Sequence, residues 1–580
     1  NTTGTANVAV GALAGDALTV GSSNVAIGYN SLSTEDGHGA NVAVGTNSLA
    51  VQNAGANGYN TAVGHNAGLS VTTAVETTLV GALAGDAITT GGYNTGFGSA
   101  ALGATTTATF NTAVGRNALG ANTTGASNVA VGGQALDANT TADNNTAVGT
   151  SSLGASTTGT SNTAVGQASL GSNTTASNNT AVGKGALTAN TTGTANTAVG
   201  TSALIANTTA NSNTAIGKDA LLANTTGTRN VGVGASALKT ITTASFNTGV
   251  GNDVLGANTS GASNTGIGDQ ALGANTTGAD NTAIGSGALD ANTTADGNTA
   301  VGSSCLGANT TGADNVAMGE AALLSNTTAA NNTGIGTSAL RANTTGASNT
   351  AMGSAALAAN TTANANIAIG RDALNDNTTG ALNTAVGTYA LDTNTTAERN
   401  TAIGYAAMDA NTTGAYNTAV GANTLDANTT GAYNTAFGYN TLGANTTASD
   451  NSAFGVATLQ ANTTGTRNTG LGRGVAAVST TANDVTGVGH FVLLNNTGSQ
   501  NTGGGSKSLN DNTSGDNVTA WGYNSLHANT TGTNNTAIGS KALQTHTTGS
   551  NNTAVGYISL GLNTTGANNV ALGGQALEAA

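Results

Sequence analysis

Few residues in this 580-residue chain are of types that do chemistry, and their placement limits what they could do. The five histidines, His38, His65, His490, His527 and His546, are far apart in the sequence. A zinc site needs three or four ligands brought together, and no His-x-x-x-His pair or carboxylate partner joins them. They are expected at variable, solvent-exposed positions. Cys305 is the only cysteine, so no intrachain disulfide can form. A nucleophilic thiol needs a base nearby, and none is evident. Cys305 precedes Leu306 at a position where Ala is usual, so a buried substitute for Ala is expected. Gly503, Gly504 and Gly505 lack the flanking pattern of a phosphate loop. Calcium-binding β-rolls carry Asp in every repeat, whereas Asp here is sporadic. No catalytic residue, metal site or cofactor is expected, and the chain does not read as an enzyme.

Three features could serve recognition. Asn-Thr-Thr recurs throughout and matches the acceptor pattern for N-glycosylation. Glycans on successive rungs about 4.8 Å apart would collide, so a ladder of stacked Asn side chains is the preferred reading. Tyrosines cluster at Tyr389, Tyr405, Tyr416, Tyr433 and Tyr439. Exposed aromatic rings can meet sugars or partner subunits, although ordinary drift at variable positions is the preferred reading. Trp521 falls in a slot that usually holds Val and is expected to swell or bend the structure locally.

These features sit on a repeat. The glycine of Asn-Thr-Ala-Val-Gly falls at Gly149, Gly166, Gly183, Gly200 and Gly217, a spacing of 17. The chain holds 34 such anchors, from Gly11 to Gly573. Two steps differ: Gly45 to Gly64 is 19 residues, and Gly489 to Gly505 is 16. One repeat reads N-T-A-V-G-x-x-A-L-x-A-N-T-T-(G/A)-x-x. Its two large apolar positions are expected to form the core, as in Val148 and Leu153, Val165 and Leu170, Val182 and Leu187, and Val199 and Leu204. Ten residues after the anchor, Gly and Ala often alternate, as in Gly159, Ala176, Gly193 and Ala210. That rhythm suggests growth by copying two-repeat cassettes.

Charged residues make up 7% of the chain and aromatic residues 3%, with 86 glycines and no proline. Such a text cannot fill a thick globular core. The regular apolar pattern and the low charge also argue against disorder. Helical solenoids need longer repeats, about 33 to 47 residues. Seventeen residues rich in Thr, Val, Asn and Gly suit one coil of parallel β-structure. The expected fold is all-β, a parallel β-solenoid (β-roll or β-helix) of about 34 coils. Residues 1–580 form one continuous repeat region, irregular only near 45–64 and 489–505. Strands are placed at T-A-V and around A-L-x-A-N-T, with turns between. Stacked at about 4.8 Å, the coils would make an elongated rod roughly 160 Å long. The absence of proline fits a backbone whose N–H groups are nearly all needed for coil-to-coil bonds.

Around N-T-A-V-G-x-x-A-L-x-x-N-T-T-G, shown by Asn196 to Thr209, the text resembles repeats of phage and virus tail-fibre proteins. The N-x-A-V/I-G core is also similar to head repeats of trimeric autotransporter adhesins, whose repeats are shorter. The resemblance covers nearly the whole chain and implies a fibre.

The expected function is therefore structural: a stiff shaft of a fibre or filament, extracellular, on a cell surface or on a virion, and serving attachment. Self-association is expected, as a homotrimer or an end-to-end filament. An adhesin that binds carbohydrate or a cell surface along the rod is the alternative. Ice binding is a weaker one, because adjacent Thr residues on a strand would leave only one outward Thr column. The net charge of −14 without a basic stripe argues against nucleic acid. No stretch approaches the 18 apolar residues of a membrane span. The chain opens inside a repeat and reads as a fragment of something longer.

Overall fold

The computed structural model describes residues 3–579, and the chain is an all-β, parallel solenoid. Each repeat makes one coil, with a three-residue strand and turns for the remainder. Two compact units follow one another in sequence, Asn1–Thr294 and Ala295–Ala580. The first holds the 17 strands from Val8–Val10 to Thr282–Ile284, the second the 17 from Thr299–Val301 to Val570–Leu572. Within each unit, successive strands pair parallel and in register. Thr163 lies beside Thr180, Ala164 beside Ala181 and Val165 beside Val182. At about 4.8 Å per rung, the ladder of each unit is roughly 80 Å long. The irregular steps do not break the pairing: Val42 meets Thr61 across one, and Thr486 meets Thr502 across the other.

The strands form where β-branched Thr and Val flank a small residue. The anchor glycine ends each strand. Gly149 has φ 133°, and a Cβ there would lie 2.6 Å from the carbonyl oxygen of Gly166. Only glycine allows that conformation together with so close an approach.

The second strand expected around A-L-x-A-N-T does not form. Its leucines adopt left-handed backbone: φ is 49° at Leu153, 50° at Leu170, 52° at Leu187 and 51° at Leu204. Such a conformation costs about 1 to 2 kcal/mol per residue. It turns the chain so that the whole Leu side chain is buried, which offsets the strain by about 2 to 3 kcal/mol. These corners are stacked as firmly as the strands. Leu136 N–H donates to Ser152 at 3.0 Å, and Leu153 N–H to Ser169 at 3.0 Å.

The core is thinner than expected. Val148, Val165, Val182 and Val199 are half-exposed, and the buried strand residues are Ala147, Ala164, Ala181 and Ala198. Side chains alternate along a strand. With three residues, the central one faces inward, and Thr and Val both face outward. Nor does Trp521 disturb the pairing. It faces outward, and its ring occupies space that Gly504 leaves free, since a Cβ on Gly504 would sit 2.4 Å from it.

The Gly/Ala rhythm has a steric cause beyond its origin in copying. A Cβ on Gly159 would lie 2.2 Å from the Ala176 oxygen, and one on Gly193 2.3 Å from the Ala210 oxygen. Where Gly stands, the next coil approaches closely. Thr123 and Thr124 N–H both reach the Thr140 oxygen, at 2.8 and 3.2 Å. Where Ala stands, the neighbour is held further off. Thr140 N–H alone reaches the Thr157 oxygen, at 3.1 Å, and Thr174 N–H reaches Thr191, also at 3.1 Å. Along this column, from Ala74 to Gly566, Ala never follows Ala. A glycine after each alanine lets the stack return to its spacing. Gly159→Ala would place three alanines in succession. It should destabilise its unit by about 1 to 3 kcal/mol and open the coils around residue 159 to amide hydrogen exchange, whereas Ala176→Gly should leave them protected.

Candidate functional site

Two columns of asparagine run inside most of the coils. The first is the Asn of N-T-A-V-G. Asn145 Nδ2 donates to the Gly159 oxygen at 2.8 Å, and its Oδ1 accepts from the Asn162 backbone N–H at 2.9 Å. The second is the Asn of N-T-T. Asn139 Nδ2 donates to Asn122 Oδ1 at 2.9 Å and to the Ala142 oxygen at 3.1 Å. The Ala142 oxygen also accepts from Asn128 Nδ2 at 2.9 Å. The small residue ten places after the anchor thus ties both columns together. The expected ladder is present, and it is fully buried. An Asn-Thr-Thr amide held inside the coil is closed to glycosylation in the folded chain.

The second column has breaks. It begins at Asn122, since other residues, from Leu18 to Thr105, fill the slot before it, and beyond Asn122 Ser156, Ile241, Ser479 and His546 interrupt it. At each break the preceding Asn, namely Asn139, Asn224, Asn462 and Asn529, keeps a buried Oδ1 with no hydrogen-bond partner. Between the breaks at Ile241 and Ser479, every slot from Asn258 to Asn462 holds Asn, with Asn377 Nδ2 on Asn360 Oδ1 at 3.2 Å and Asn394 Nδ2 on Asn377 Oδ1 at 2.8 Å. His546 departs from the expected exposed position: it is fully buried. Its Nε2 lies 2.7 Å from the Gly549 oxygen, the place an Asn amide would take. Glu35 fills the same slot in an early coil, and burial raises its pKa. Cys305 is buried in the small-residue slot, as expected. Burial also raises its thiol pKa, and no group of three or more Cys, His, Asp or Glu that could hold a metal ion occurs among the described residues.

Both threonines of N-T-T differ from the one-in, one-out expectation. Thr140 is half-buried and Thr141 exposed, because the segment is a corner and the flanking Asn139 and Ala142 point inward. The Thr140 hydroxyl is spent on the Thr157 oxygen at 3.1 Å.

The tyrosines occupy four successive coils but split between two corners. Tyr416 and Tyr433 stack, with centroids 5.0 Å apart and planes 11° apart. Arg399 lies over the other face of Tyr416 at 5.3 Å, bonds its hydroxyl, and holds Glu398 at 3.0 Å. Both faces of Tyr416 are thus occupied, and a sugar ring stacks only on an open face. Tyr389 and Tyr405 meet edge to face at 6.1 Å, and Arg371 lies 4.6 Å over Tyr389. Tyr439 is exposed on the Tyr405 column, with Ala422 in the coil between. Similar stacks recur at Tyr93–Phe110 and Arg229–Phe246, the latter lining a shallow groove of about 390 Å³.

Sequence reasoning missed an acidic column. Asp392, Asp409 and Asp426 stand at the same place in three successive coils. Burial, then Asp409, Asp376 and Asp372, push Asp392 up to about 6, against the opposing pull of Arg371. Burial raises Asp409 and Asp426 as well. A groove of about 440 Å³ continues from Asp426 past Gly443 and Gln460 to Val478. The spacing of 17 was the available signal. Among the described residues, no helix is long and apolar enough to cross a membrane.

The fold and these columns define a parallel β-solenoid repeat protein with paired internal asparagine ladders. Comparison with protein-family models, with characterised proteins and with solved structures finds no match to the chain.

Two predictions follow from the columns. Asn377→Ala should cost roughly 1 to 3 kcal/mol by orphaning its neighbours, while Ser156→Asn should gain about 1 kcal/mol by joining two runs; chemical denaturation measures both. The folded pKa of Asp392 is raised, so its contribution is full below the ordinary aspartate range and is lost as pH rises through about 6. Asp392→Asn should therefore stabilise the chain at pH 7 by about 1 kcal/mol, a figure reduced for partial solvent screening. It should also flatten the dependence of stability on pH between 4 and 7.

Proposed function

We propose that the chain is the shaft of a structural fibre or filament, a stiff, non-catalytic spacer that serves attachment outside the cell or on a virion. The observation that carries this reading is the uniformity of the coils. Through each unit the same backbone pairing recurs from coil to coil, across both irregular steps, and runs of stacked asparagines line most of the coils. A stack of nearest-neighbour interfaces resists bending and local opening over its length. Adhesion along the rod is the second reading, and the exposed Tyr405 and Tyr439 favour it. Tyr416 does not, because its faces are covered.

Electron microscopy of the full chain should show slender particles of uniform width, and compact globules would overturn the shaft. Limited proteolysis should cut first at the exposed residues 55–57, inside the 19-residue step. Scattered early cuts throughout the coils would count against stiffness. Glycan-array binding abolished by Tyr405→Ala with Tyr439→Ala would favour the adhesin.

A further inference from the structure

The outward face of the strand ladder is the largest feature that the shaft reading leaves unexplained. Past the first strand, Val8–Val10, each strand has a buried centre flanked by one outward position before it and one after. Across the 34 strands those positions hold Thr, Val, Ile, Leu, Met, Phe and Trp, with single exceptions at Ser452 and Gly504. None of the 12 Lys and Arg or 26 Asp and Glu residues of the chain falls on a strand. The corners elsewhere on the coil carry the charge, as at Arg116, Lys184 and Lys218. In the outer column, Ile216, Met318, Ile403 and Ile538 are each 39–43% exposed. The face is kept level where residue size changes. Trp521 lies over the gap left by Gly504, and Phe437 stacks on Phe454 at 5.3 Å.

Monomeric proteins rarely expose an apolar patch beyond a few hundred Å². Seventeen rungs at about 4.8 Å, on a face roughly 10 Å wide, offer about 800 Å² per unit. That equals the roughly 800 Å² each partner contributes to a stable interface. A partner must also match a step of one rung over many rungs, and a second copy of this chain carries the same step. A net charge of −14 repels copies everywhere except where charge is absent.

We propose that the outward Thr–Val face of the strand ladder is the surface on which copies of this chain join side by side. The inference rests on the shaft reading only in treating the stack as rigid. The joined face shields the half-exposed Val and Ile column, which the thin interior of one coil has no room to bury. Added salt, by screening the negative chains, strengthens the assembly.

The test uses the full chain at tens of micromolar, with mass read by sedimentation and folding by circular dichroism. The wild type should sediment at two or more times the chain mass. The double substitution Val182→Arg and Ile403→Arg should keep the β spectrum and weaken association by roughly tenfold or more. Thr201→Arg, on a corner column that already carries Lys184 and Lys218, should leave the mass unchanged. A wild type that is monomeric yet slender would overturn the interface while leaving the shaft intact. An assembly untouched by the face substitutions would also overturn it, as would a monomer showing thermal hysteresis, which would assign the face to ordered water. Compact particles would instead remove the shaft reading itself.

Discussion

The buried amides impose the governing constraint. An asparagine side chain enclosed in a coil must have its donors and acceptor met, or it costs about 1 to 3 kcal/mol. Here the partners lie one coil away or across the same coil, as in Asn139 to Asn122 and to Ala142. Each coil is therefore complete only against its neighbours. The repeat length stays near 17 because a change of register would strand two asparagines at once. At the 19-residue step, the added residues are accommodated in the turns, and the strand pairing from Val42 to Thr61 is kept.

This constraint explains the composition. With polar side chains taking part of the interior, one Leu and a few Ala per coil suffice as apolar filling. A thin core cannot also house Val, so Val stands outside, and the chain carries an apolar face. Glycine is required where coils approach most closely, and alternates with Ala where a single methyl can be relieved by the next coil. The same shortage of interior space pushes aromatic residues outward, to the corners and the strand face, where they stack along a column, as Tyr416 does on Tyr433 and Phe437 on Phe454.

Much of this was legible in the sequence. The period gave the coil, the Leu column and the asparagine ladder, because identical residues at one spacing must meet when coils stack. Three things were hidden. The Leu153 corner was not legible, since its positive φ violates the usual preference of leucine and is recovered only through burial. The outward turn of Val148 follows from alternation along the strand once Ala147 takes the inward place, a choice between two faces that the period alone leaves open. The burial of His546 could have been inferred: it stands 17 residues after Asn529, in the slot of the ladder. The acidic column of Asp392, Asp409 and Asp426 carried the same signal of spacing. For the tyrosines, the spacing gave proximity, but only ring geometry reveals that Tyr416 has no free face.

X-ray diffraction from aligned, concentrated chain tests the central claim most directly, because every coil is held to the next by one repeated step. The account predicts a sharp meridional reflection near 4.8 Å, the spacing of stacked parallel coils. Diffuse scatter without that reflection, or a meridional spacing characteristic of helices, would contradict it.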